Sequence, residues 1–147
     1  DRKLNMDAVN EYGIETCYYQ KIKNGKNLTL DNGTEIDNEL LTFDPIPTKK
    51  YAFCSDTAFD ERIITMIKNV DILYHESTFL ENESILAEKT MHSTAKQSAK
   101  IALKANVNQL ILGHYSTRYE SIALFKEEAT TVFSEVLLGD DNTSFEF

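Results

Sequence analysis

The sequence predicts an α/β fold in which short buried strands alternate with helices. Three short apolar runs, 51–55, 72–74 and 110–112, are typical of strands buried on both faces. Apolar residues at helical spacing lie between these runs and after them. Hydrophobic residues make up 41% of the 147 residues and include 8 Phe and 7 Tyr, which is enough to form a core and excludes a disordered chain.

The first fifty residues lack the pattern of alternating strands and helices that the rest of the chain shows. Residues 18–23 alternate weakly and predict a strand, and residues 28–36 predict a β-hairpin with a type I′ turn at Asn32-Gly33. Both prolines, Pro45 and Pro47, stand in one loop. We therefore expect a boundary there, with an appended segment at 1–48 and the α/β domain at 49–147.

Helices are expected at three places in the second part. Phe59 opens a run of apolar residues at helical spacing that continues to Val70. Thr94 and Gln97 have the spacing of a capping box, and Asn106 can end that helix in the left-handed conformation. A further helix is predicted at 122–133, and residues 136–138 can form a last edge strand.

Charge and cysteine content restrict the class of protein. The chain has 15 Lys and Arg against 24 Asp and Glu, a net charge of −9, which disfavours binding of nucleic acid by the body as a whole. The early Lys21, Lys23 and Lys26 are candidate phosphate contacts, with a plain solvated surface as the alternative. Two cysteines form no disulfide framework, which favours a reducing, cytoplasmic compartment, and no apolar run is long enough to span a membrane.

The residues that can carry chemistry follow the predicted strands. Asp56 follows the first strand, His75 and Glu76 follow the second, and His114 follows the third. Because the carboxyl ends of neighbouring strands meet at one edge in layered α/β proteins, we expect these side chains at a single rim. His92, just before the capped helix, can reach the same rim through a short loop.

Two chemistries use such a set, and the residues alone do not choose between them. Imidazole and carboxylate are ligands for Zn²⁺ or a similar ion, and a histidine oriented by a carboxylate can act as an acid or base. A non-catalytic α/β interaction module is the alternative, in which Asp56 caps a helix and the histidines are only hydrogen-bonded.

Four motifs in this region resemble those of the ribonuclease Z family, the tRNA 3′-processing endonucleases of the metallo-β-lactamase superfamily. They occur in the family's order between residues 51 and 120. They are Tyr51-Ala52-Phe53-Cys54-Ser55-Asp56-Thr57, Leu73-Tyr74-His75-Glu76-Ser77-Thr78-Phe79, His92-Ser93-Thr94-Ala95 and Leu110-Ile111-Leu112-Gly113-His114-Tyr115-Ser116-Thr117-Arg118-Tyr119. The resemblance implies the C-terminal half of an αββα sandwich, preceded by the family's tRNA-binding arm at residues 1–48.

The resemblance also implies roles for individual residues. Asp56 matches a carboxylate that bridges two divalent metal ions, Zn²⁺ or Mn²⁺, and His114 matches the last metal-binding histidine. His92 matches the histidine proposed to protonate the leaving 3′ oxygen, and Glu76 would orient it. His75 and Arg118 would have supporting roles.

The implied substrate is precursor tRNA, cut after the discriminator nucleotide to leave a 3′ hydroxyl on the tRNA and a 5′ phosphate on the trailer. Because members of the family usually form homodimers, the resemblance also implies a homodimer for this protein. A metallo-β-lactamase-fold phosphodiesterase with another substrate is a second alternative.

Two departures from the family pattern bear on these expectations. The H-x-H-x-D-H motif and the next metal-binding histidine, which supply most of the metal ligands, are missing. We therefore expect the chain to be the C-terminal half of the enzyme, to need the upstream half and to be inactive alone. The arm also lacks its usual Gly-Pro pair, which leaves its shape and its contact with tRNA open.

Overall fold

The computed structural model describes residues 1–146. The chain forms two compact units, Asp1–Thr48 and a second unit that begins at Lys49. Each unit has its own cluster of buried apolar side chains. Among residues 1–146, no helix combines the length and the apolar character that crossing a membrane requires.

The first unit is built from short helices and two pairs of antiparallel strands. Val9, Ile22 and Leu41 are the most deeply buried side chains of its core. Asn5 caps the first helix because its side chain accepts a hydrogen bond from the backbone of Ala8. The elements are β1 (Lys3–Leu4), α1 (Met6–Glu11), α2 (Tyr19–Lys23), β2 (Leu28–Thr29), β3 (Glu35–Ile36), α3 (Asn38–Leu41) and β4 (Thr42–Phe43), with β1 paired to β4 and β2 paired to β3.

The predicted hairpin is present, but its turn is of another type. Strands β2 and β3 pair with Leu28 opposite Ile36. Only Gly33 of the Asn32-Gly33 pair has a positive φ, of 84°, and its amide donates to the carbonyl of Leu30. A type I′ turn requires positive φ at both residues, so that prediction is wrong. The loop is a turn followed by one left-handed glycine, the longer arrangement common in hairpins.

Residues 18–23 do not form the predicted strand. A 3₁₀ turn at Thr16–Tyr18 leads into α2. Tyr19 and Ile22, three residues apart, both pack into the core of the unit, which is the spacing of one face of a helix. A run of six residues was too short to distinguish this period from the alternation of a strand.

The second unit contains a four-stranded sheet. The strands are all parallel and lie in chain order, as expected for strand–helix alternation. Within each crossover a helix or 3₁₀ turn connects one strand to the next. The strands are β5 (Tyr51–Cys54), β6 (Ile72–Glu76), β7 (Gln109–Gly113) and β8 (Val136–Leu138).

Three helices accompany this sheet: α4 (Ser84–Thr90), α5 (Ala95–Ala105) and α6 (Ala123–Thr130). The predicted capping box is confirmed, since the Thr94 side chain accepts from the amide of Gln97 and the Gln97 side chain accepts from the amide of Thr94. Asn106 ends α5 in the left-handed conformation, as predicted. Helices α5 and α6 cover one sheet face with a core centred on Phe125 and Leu110.

The segment from Phe59 to Val70 is not the predicted α-helix. It forms a 3₁₀ helix at Glu61–Thr65, begun by an Asp60 side chain that accepts from the amide of Arg62. Ile67 and Val70 are buried in the core although they lie beyond this helix. Apolar spacing of three and four residues therefore predicted the burial correctly and the helix type wrongly.

The other face of the sheet is only partly covered. Phe53 is 63% exposed and stacks on Tyr74 with the ring centroids 4.6 Å apart. The segment after β8 borders a groove of about 420 Å³ on this face. Tyr74 lies against Gly113, at the position that a Cβ atom would take, so this close approach requires glycine.

Candidate functional site

Four side chains from three strand ends and one helix entry converge in the second unit. Asp56 follows β5, Glu76 ends β6, His114 follows β7, and His92 precedes α5. One potential ligand atom from each lies within 4.8 Å of the others. The rings of His92 and His114 have centroids 5.3 Å apart. The expected meeting of polar groups at the carboxyl edge of the sheet is present for these four residues.

Asp56 and His114 share an unusual backbone conformation. Their φ angles are 53° and 60°, in the left-handed region. Residues with side chains pay a steric cost there, although Asp and His tolerate the region better than most residues. In both cases the conformation ends a strand and turns the side chain at once into the site, and such strained positions cluster at functional sites.

Glu76 is fully buried and forms the centre of the cluster. Its Oε1 accepts from the amide of Thr57 at 2.9 Å and from His92 Nδ1 at 2.8 Å. Its Oε2 accepts from the amide and the hydroxyl of Thr78 at 3.0 and 2.7 Å, and from the amide of Ser93 at 3.2 Å. Five donors therefore occupy the carboxylate.

These donors explain the charge state of Glu76. Burial by itself would raise the pKa of this carboxyl, but the hydrogen bonds from His92, Thr78 and Ser93 outweigh burial and hold the pKa below its usual value. The carboxylate is thus stable as an anion inside the protein. Because its lone pairs already face N–H and O–H donors, Glu76 is an orienting group and has no free oxygen to offer a metal ion.

Thr78 connects Glu76 with His114. The Thr78 hydroxyl has one hydrogen, and it donates this to Glu76 because a carboxylate can only accept. The Thr78 oxygen therefore accepts from His114 Nδ1, 2.8 Å away. His114 is thereby held with its hydrogen on Nδ1, so that its Nε2 lone pair is available to a ligand.

His92 is oriented in a similar way. Its Nδ1 donates to Glu76, and Asp56 Oδ1 lies 3.6 Å from the same nitrogen. The rings of Phe79 and His92 meet edge to face, with the centroids 6.1 Å apart and an interplanar angle of 62°. Nε2 is left as the atom of His92 that can give or take a proton.

The donor set fits part of a metal site. Asp56 presents an exposed carboxylate and His114 presents Nε2, and both are accepted ligands for Zn²⁺ and similar ions. His114 also has the outer hydrogen-bond partner that metal-binding histidines normally have. Zinc needs three or four protein ligands, so these two residues cannot complete a site by themselves.

His75 does not join the cluster, contrary to the expectation of a single rim for all strand-end residues. Successive residues of a strand point to opposite faces, so His75 and Glu76 face opposite ways. His75 is completely buried, with Nδ1 2.8 Å from the carbonyl of Glu76 and 3.1 Å from the Ser98 hydroxyl. Burial lowers the pKa of His75, which favours the neutral ring.

The remaining candidate residues lie outside the cluster. Lys21 and Lys26 are exposed and Lys23 is half-buried, all in the first unit. Arg118 lies over the Phe79 ring, with its guanidinium carbon 5.0 Å from the centroid, and approaches Glu83 at 3.9 Å. Through Phe79, which contacts both, Arg118 is one side chain away from His92.

Sequence reasoning missed three polar residues that organise the site. Thr57, Thr78 and Ser93 supply four of the five donors to Glu76. Each stands one or two residues from a predicted site residue, in the runs Asp56-Thr57, His75-Glu76-Ser77-Thr78 and His92-Ser93. The available signal was that a buried carboxylate needs several donors, and short loops of Ser and Thr can provide them.

Comparisons with known proteins find similar sequences that are named ribonuclease Z. Proteins named ribonuclease Z from Parabacteroides distasonis and Cytophaga hutchinsonii are each 45% identical to the chain, over 130 and 145 residues. These regions cover 88% and 97% of this chain but 43% and 46% of those proteins. The chain thus spans about half the length of these curated relatives, and it matches their C-terminal half. No family model matches the chain.

Solved structures agree on the fold. The metallo-β-lactamase fold protein YhfI from Bacillus subtilis superposes with a TM-score of 0.63 at 23% identity, covering 67% of this chain and 40% of that one. A long-form RNase Z from yeast gives 0.55 at 25% identity, covering 62% of this chain and 12% of that one. The prediction of an α/β fold of the metallo-β-lactamase type is confirmed.

Proposed function

We propose that this chain, a relative of the C-terminal half of ribonuclease Z, supplies part of the active site of a metal-dependent endoribonuclease that removes the 3′ trailer from precursor tRNA. The observation that carries the proposal is the convergence of Asp56, His92 and His114 around one buried carboxylate. All four of these residues stand in the motifs by which the chain resembles the family.

Asp56 and His114 are the metal ligands in this proposal. Two divalent ions, Zn²⁺ or Mn²⁺, would activate a water and stabilise the charge that develops on the scissile phosphate. The Asp56 carboxylate is exposed and would supply oxygen ligands to this metal centre. His114 presents Nε2, because Thr78 holds the hydrogen on Nδ1.

His92 is the proton donor. With Nδ1 bonded to Glu76, the protonated ring can release the hydrogen on Nε2 to the 3′ oxygen as the P–O bond breaks. Glu76 keeps the ring in one orientation and stabilises its positive charge. The products are a 3′ hydroxyl on the tRNA and a 5′ phosphate on the trailer.

The first unit is the candidate tRNA-binding arm. Lys21, Lys23 and Lys26 lie in and after helix α2, where their ammonium groups can contact backbone phosphates. The net charge of −9 disfavours contact between tRNA and the body of the protein. In this proposal the arm therefore supplies the affinity for tRNA, and the metal ions offset negative charge at the active site. The working enzyme is a homodimer in this proposal.

The chain alone is inactive in this proposal, since Asp56 and His114 are too few ligands for the metal ions. The upstream half of the protein supplies the other ligands. In this proposal that half also covers the sheet face that carries the exposed Phe53.

A complementation assay tests the proposal. The chain is mixed with a separately produced upstream half of the Parabacteroides distasonis ribonuclease Z, and precursor tRNA cleavage is followed with Zn²⁺ or Mn²⁺. Cleavage after the discriminator nucleotide is expected in the mixture and in neither half alone. His92→Ala and Glu76→Gln should abolish it, while Glu127→Gln, on the exposed side of α6, should not.

The other outcomes separate the alternatives. Cleavage of bis(p-nitrophenyl) phosphate without cleavage of precursor tRNA would indicate a phosphodiesterase with another substrate. Full activity of Asp56→Asn and His114→Asn would remove the proposed metal site. Cleavage by the chain alone would contradict the statement that its metal ligands are too few. A folded mixture that binds no metal and shows no cleavage would favour the non-catalytic interaction module.

A further inference from the structure

A carboxylate on α6 connects two segments that lead away from the candidate site. Glu128 Oε1 accepts from the backbone amide of Lys96, in the first turn of α5, at 3.1 Å. Its Oε2 accepts from the backbone amide of Glu81 at 2.9 Å, where the 3₁₀ turn Glu81–Glu83 begins. One side chain of α6 therefore holds the start of α5 against the loop that follows β6.

The start of α5 depends on this contact. The first amides of a helix have no partner inside the helix, so they take one from outside it. Ala95 donates to a backbone carbonyl of the loop after β6, and Gln97 donates to the Thr94 hydroxyl. The amide of Lys96 lies between these two and donates to Glu128. A negative charge at this end of the helix is also favourable for the helix dipole.

Glu81 closes a ring of hydrogen bonds around this point. Thr94 donates its hydroxyl hydrogen to Glu81 Oε2 at 2.7 Å. The amide of Glu81 donates to Glu128, which also accepts from Lys96, two residues after Thr94. Thr94 is in turn two residues after His92. The ring of hydrogen bonds therefore fixes the end of the short loop that carries His92.

The other contacts of this loop are made with Glu76. The amide of Ser93 donates to Glu76 Oε2 at 3.2 Å, and His92 Nδ1 donates to Glu76 Oε1 at 2.8 Å. Both bonds require the backbone of residues 92–94 to keep its distance from Glu76. A displacement of about 1 Å would take both pairs of atoms beyond the distance of a hydrogen bond.

Glu128 is not the residue that attaches α6 to the domain. Phe125 and Ala129 of the same helix are fully buried in the core of the second unit. Glu128 is half-buried, and its two oxygens contact the backbone of two other segments. Loss of this carboxylate should therefore leave the fold in place and change the positions of those segments.

We propose that Glu128 is a positioning residue for His92. By holding the start of α5, it keeps His92 Nδ1 at hydrogen-bond distance from Glu76. Glu128 acts through the backbone and is not a member of the cluster formed by Asp56, Glu76, His92 and His114. The consequence for catalysis rests on the proposed function, in which His92 gives its proton to the leaving 3′ oxygen.

The first measurement compares the 147-residue chain with its variant Glu128→Gln. Glutamine has nearly the same shape, but its NH₂ group faces one of the two amides, so one bond is lost. The ¹⁵N signals of the His92 ring at pH 8 should move from one tautomer toward a mixture. Those of His114, held through Thr78, should stay unchanged. Glu127→Gln, on the exposed side of α6, is the matched control and should leave both rings unchanged.

The second measurement is precursor tRNA cleavage in the mixture with the upstream half. Glu128→Gln should lower kcat about tenfold, because a displaced proton donor loses part of the about 10²–10⁴-fold that general acid catalysis contributes. KM for precursor tRNA and the affinity for Mn²⁺ should stay within about twofold of wild type. Glu128→Asp keeps the charge on a shorter side chain, so its kcat should lie between those of Glu128→Gln and wild type.

Urea unfolding of each variant separates positioning from a purely structural role. Lower stability with unchanged His92 signals and unchanged kcat would overturn the proposal. Equal changes at His92 and His114 would also overturn it, since they would indicate a general loosening of the site. Changed His92 signals with a wild-type mixture that does not cleave would support the positioning role and overturn the proposed function instead. Glu128→Asp carries the same comparison if Glu128→Gln does not fold.

Discussion

Thr78 Oγ1 lies 2.8 Å from His114 Nδ1 while donating its hydrogen to Glu76. Glu76 also accepts directly from His92 Nδ1. One buried carboxylate therefore sets the hydrogen position on both histidines of the site, directly for His92 and through one hydroxyl for His114. This arrangement leaves Nε2 of each ring free.

Replacing Thr78 by Val removes this hydroxyl at nearly unchanged volume. His114 Nδ1 then loses its acceptor, and the neutral ring should shift from one tautomer to a mixture. The ¹⁵N signals of the His114 ring at pH 8 report this directly. Thr78→Ser is the matched control and should keep the wild-type signals. Identical signals in Thr78→Val would mean that the hydroxyl does not set the tautomer.

Glu76→Gln should destabilise the second unit by about 2–4 kcal/mol, because an amide cannot accept from five donors and its NH₂ would face other N–H groups. The pKa of Glu76 is lowered in the folded protein, so its contribution is complete above the unfolded pKa of about 4.5 and is lost as the pH falls below it.

Urea denaturation at pH 7 and at pH 3.5 measures both effects of this change. The difference between wild type and Glu76→Gln should shrink at the lower pH. Glu127→Gln, an exposed substitution of the same type on α6, should change stability little at either pH. A constant difference would contradict an ionised Glu76 as its source.

His75 gives a pH dependence in a higher range. Its pKa is lowered by burial, so below about pH 6.5 the unfolded state binds a proton that the folded state does not. Stability should therefore decrease as the pH falls from 6.5, by up to about 1.4 kcal/mol per pH unit for this one group. His75→Leu should reduce that slope, because it removes the titrating ring. The carbonyl of Glu76 keeps a donor in this variant, since the Ser98 hydroxyl donates to it at 2.6 Å.

Unfolding curves of both proteins between pH 7 and pH 5 measure the two slopes. Equal slopes in wild type and His75→Leu would show that the buried ring is not the titrating group.

In the mixture with the upstream half, Asp56→Asn should weaken binding of Mn²⁺ by at least about tenfold, since it removes a charged group that we propose as a ligand. Asparagine is the informative replacement because it tolerates the left-handed backbone found at Asp56. His114→Asn should have a similar effect, since it removes the proposed imidazole ligand and asparagine tolerates the left-handed backbone at His114 as well. Paramagnetic broadening of amide signals during a Mn²⁺ titration gives the affinities.

Asp60→Asn is the control for this titration, since Asp60 lies in the same loop but is bonded to Arg62. It should leave the Mn²⁺ affinity unchanged. Equal affinities of wild type and Asp56→Asn would exclude Asp56 as a ligand.

The strands and the long capped helix could be predicted from sequence because their signals are strong and local. The runs at 72–74 and 110–112 are apolar on both faces, which is typical of buried strands. The spacing of Thr94 and Gln97 is that of a capping box, which marks the start of a helix. The segment around Ile22 could not be assigned, because five or six residues fit either period. The helix type near Ile63 was equally out of reach, since 3₁₀ and α-helices bury residues at similar spacing.

The positions of the site residues could be predicted where the order and direction of the strands determine them. Neighbouring parallel strands place the chain positions of Asp56, Glu76 and His114 at one edge of the sheet. The side-chain direction of His75 followed from strand alternation but required knowing where β6 ends. The donors to Glu76 depend on loop conformations, such as the left-handed backbone at Asp56, that no local pattern specifies.

The sheet of the second unit has its strands in chain order, from β5 at one edge to β8 at the other. During synthesis each new strand can therefore add beside the one made just before it, without displacing a neighbour. The stretch from Asp56 to His114 is complete before α6 and β8 emerge from the ribosome, and domains generally form in this direction as the chain elongates. The loops that meet at Glu76 can thus assemble on a growing edge, and the segment from α6 to β8 then adds the helix and the outer strand.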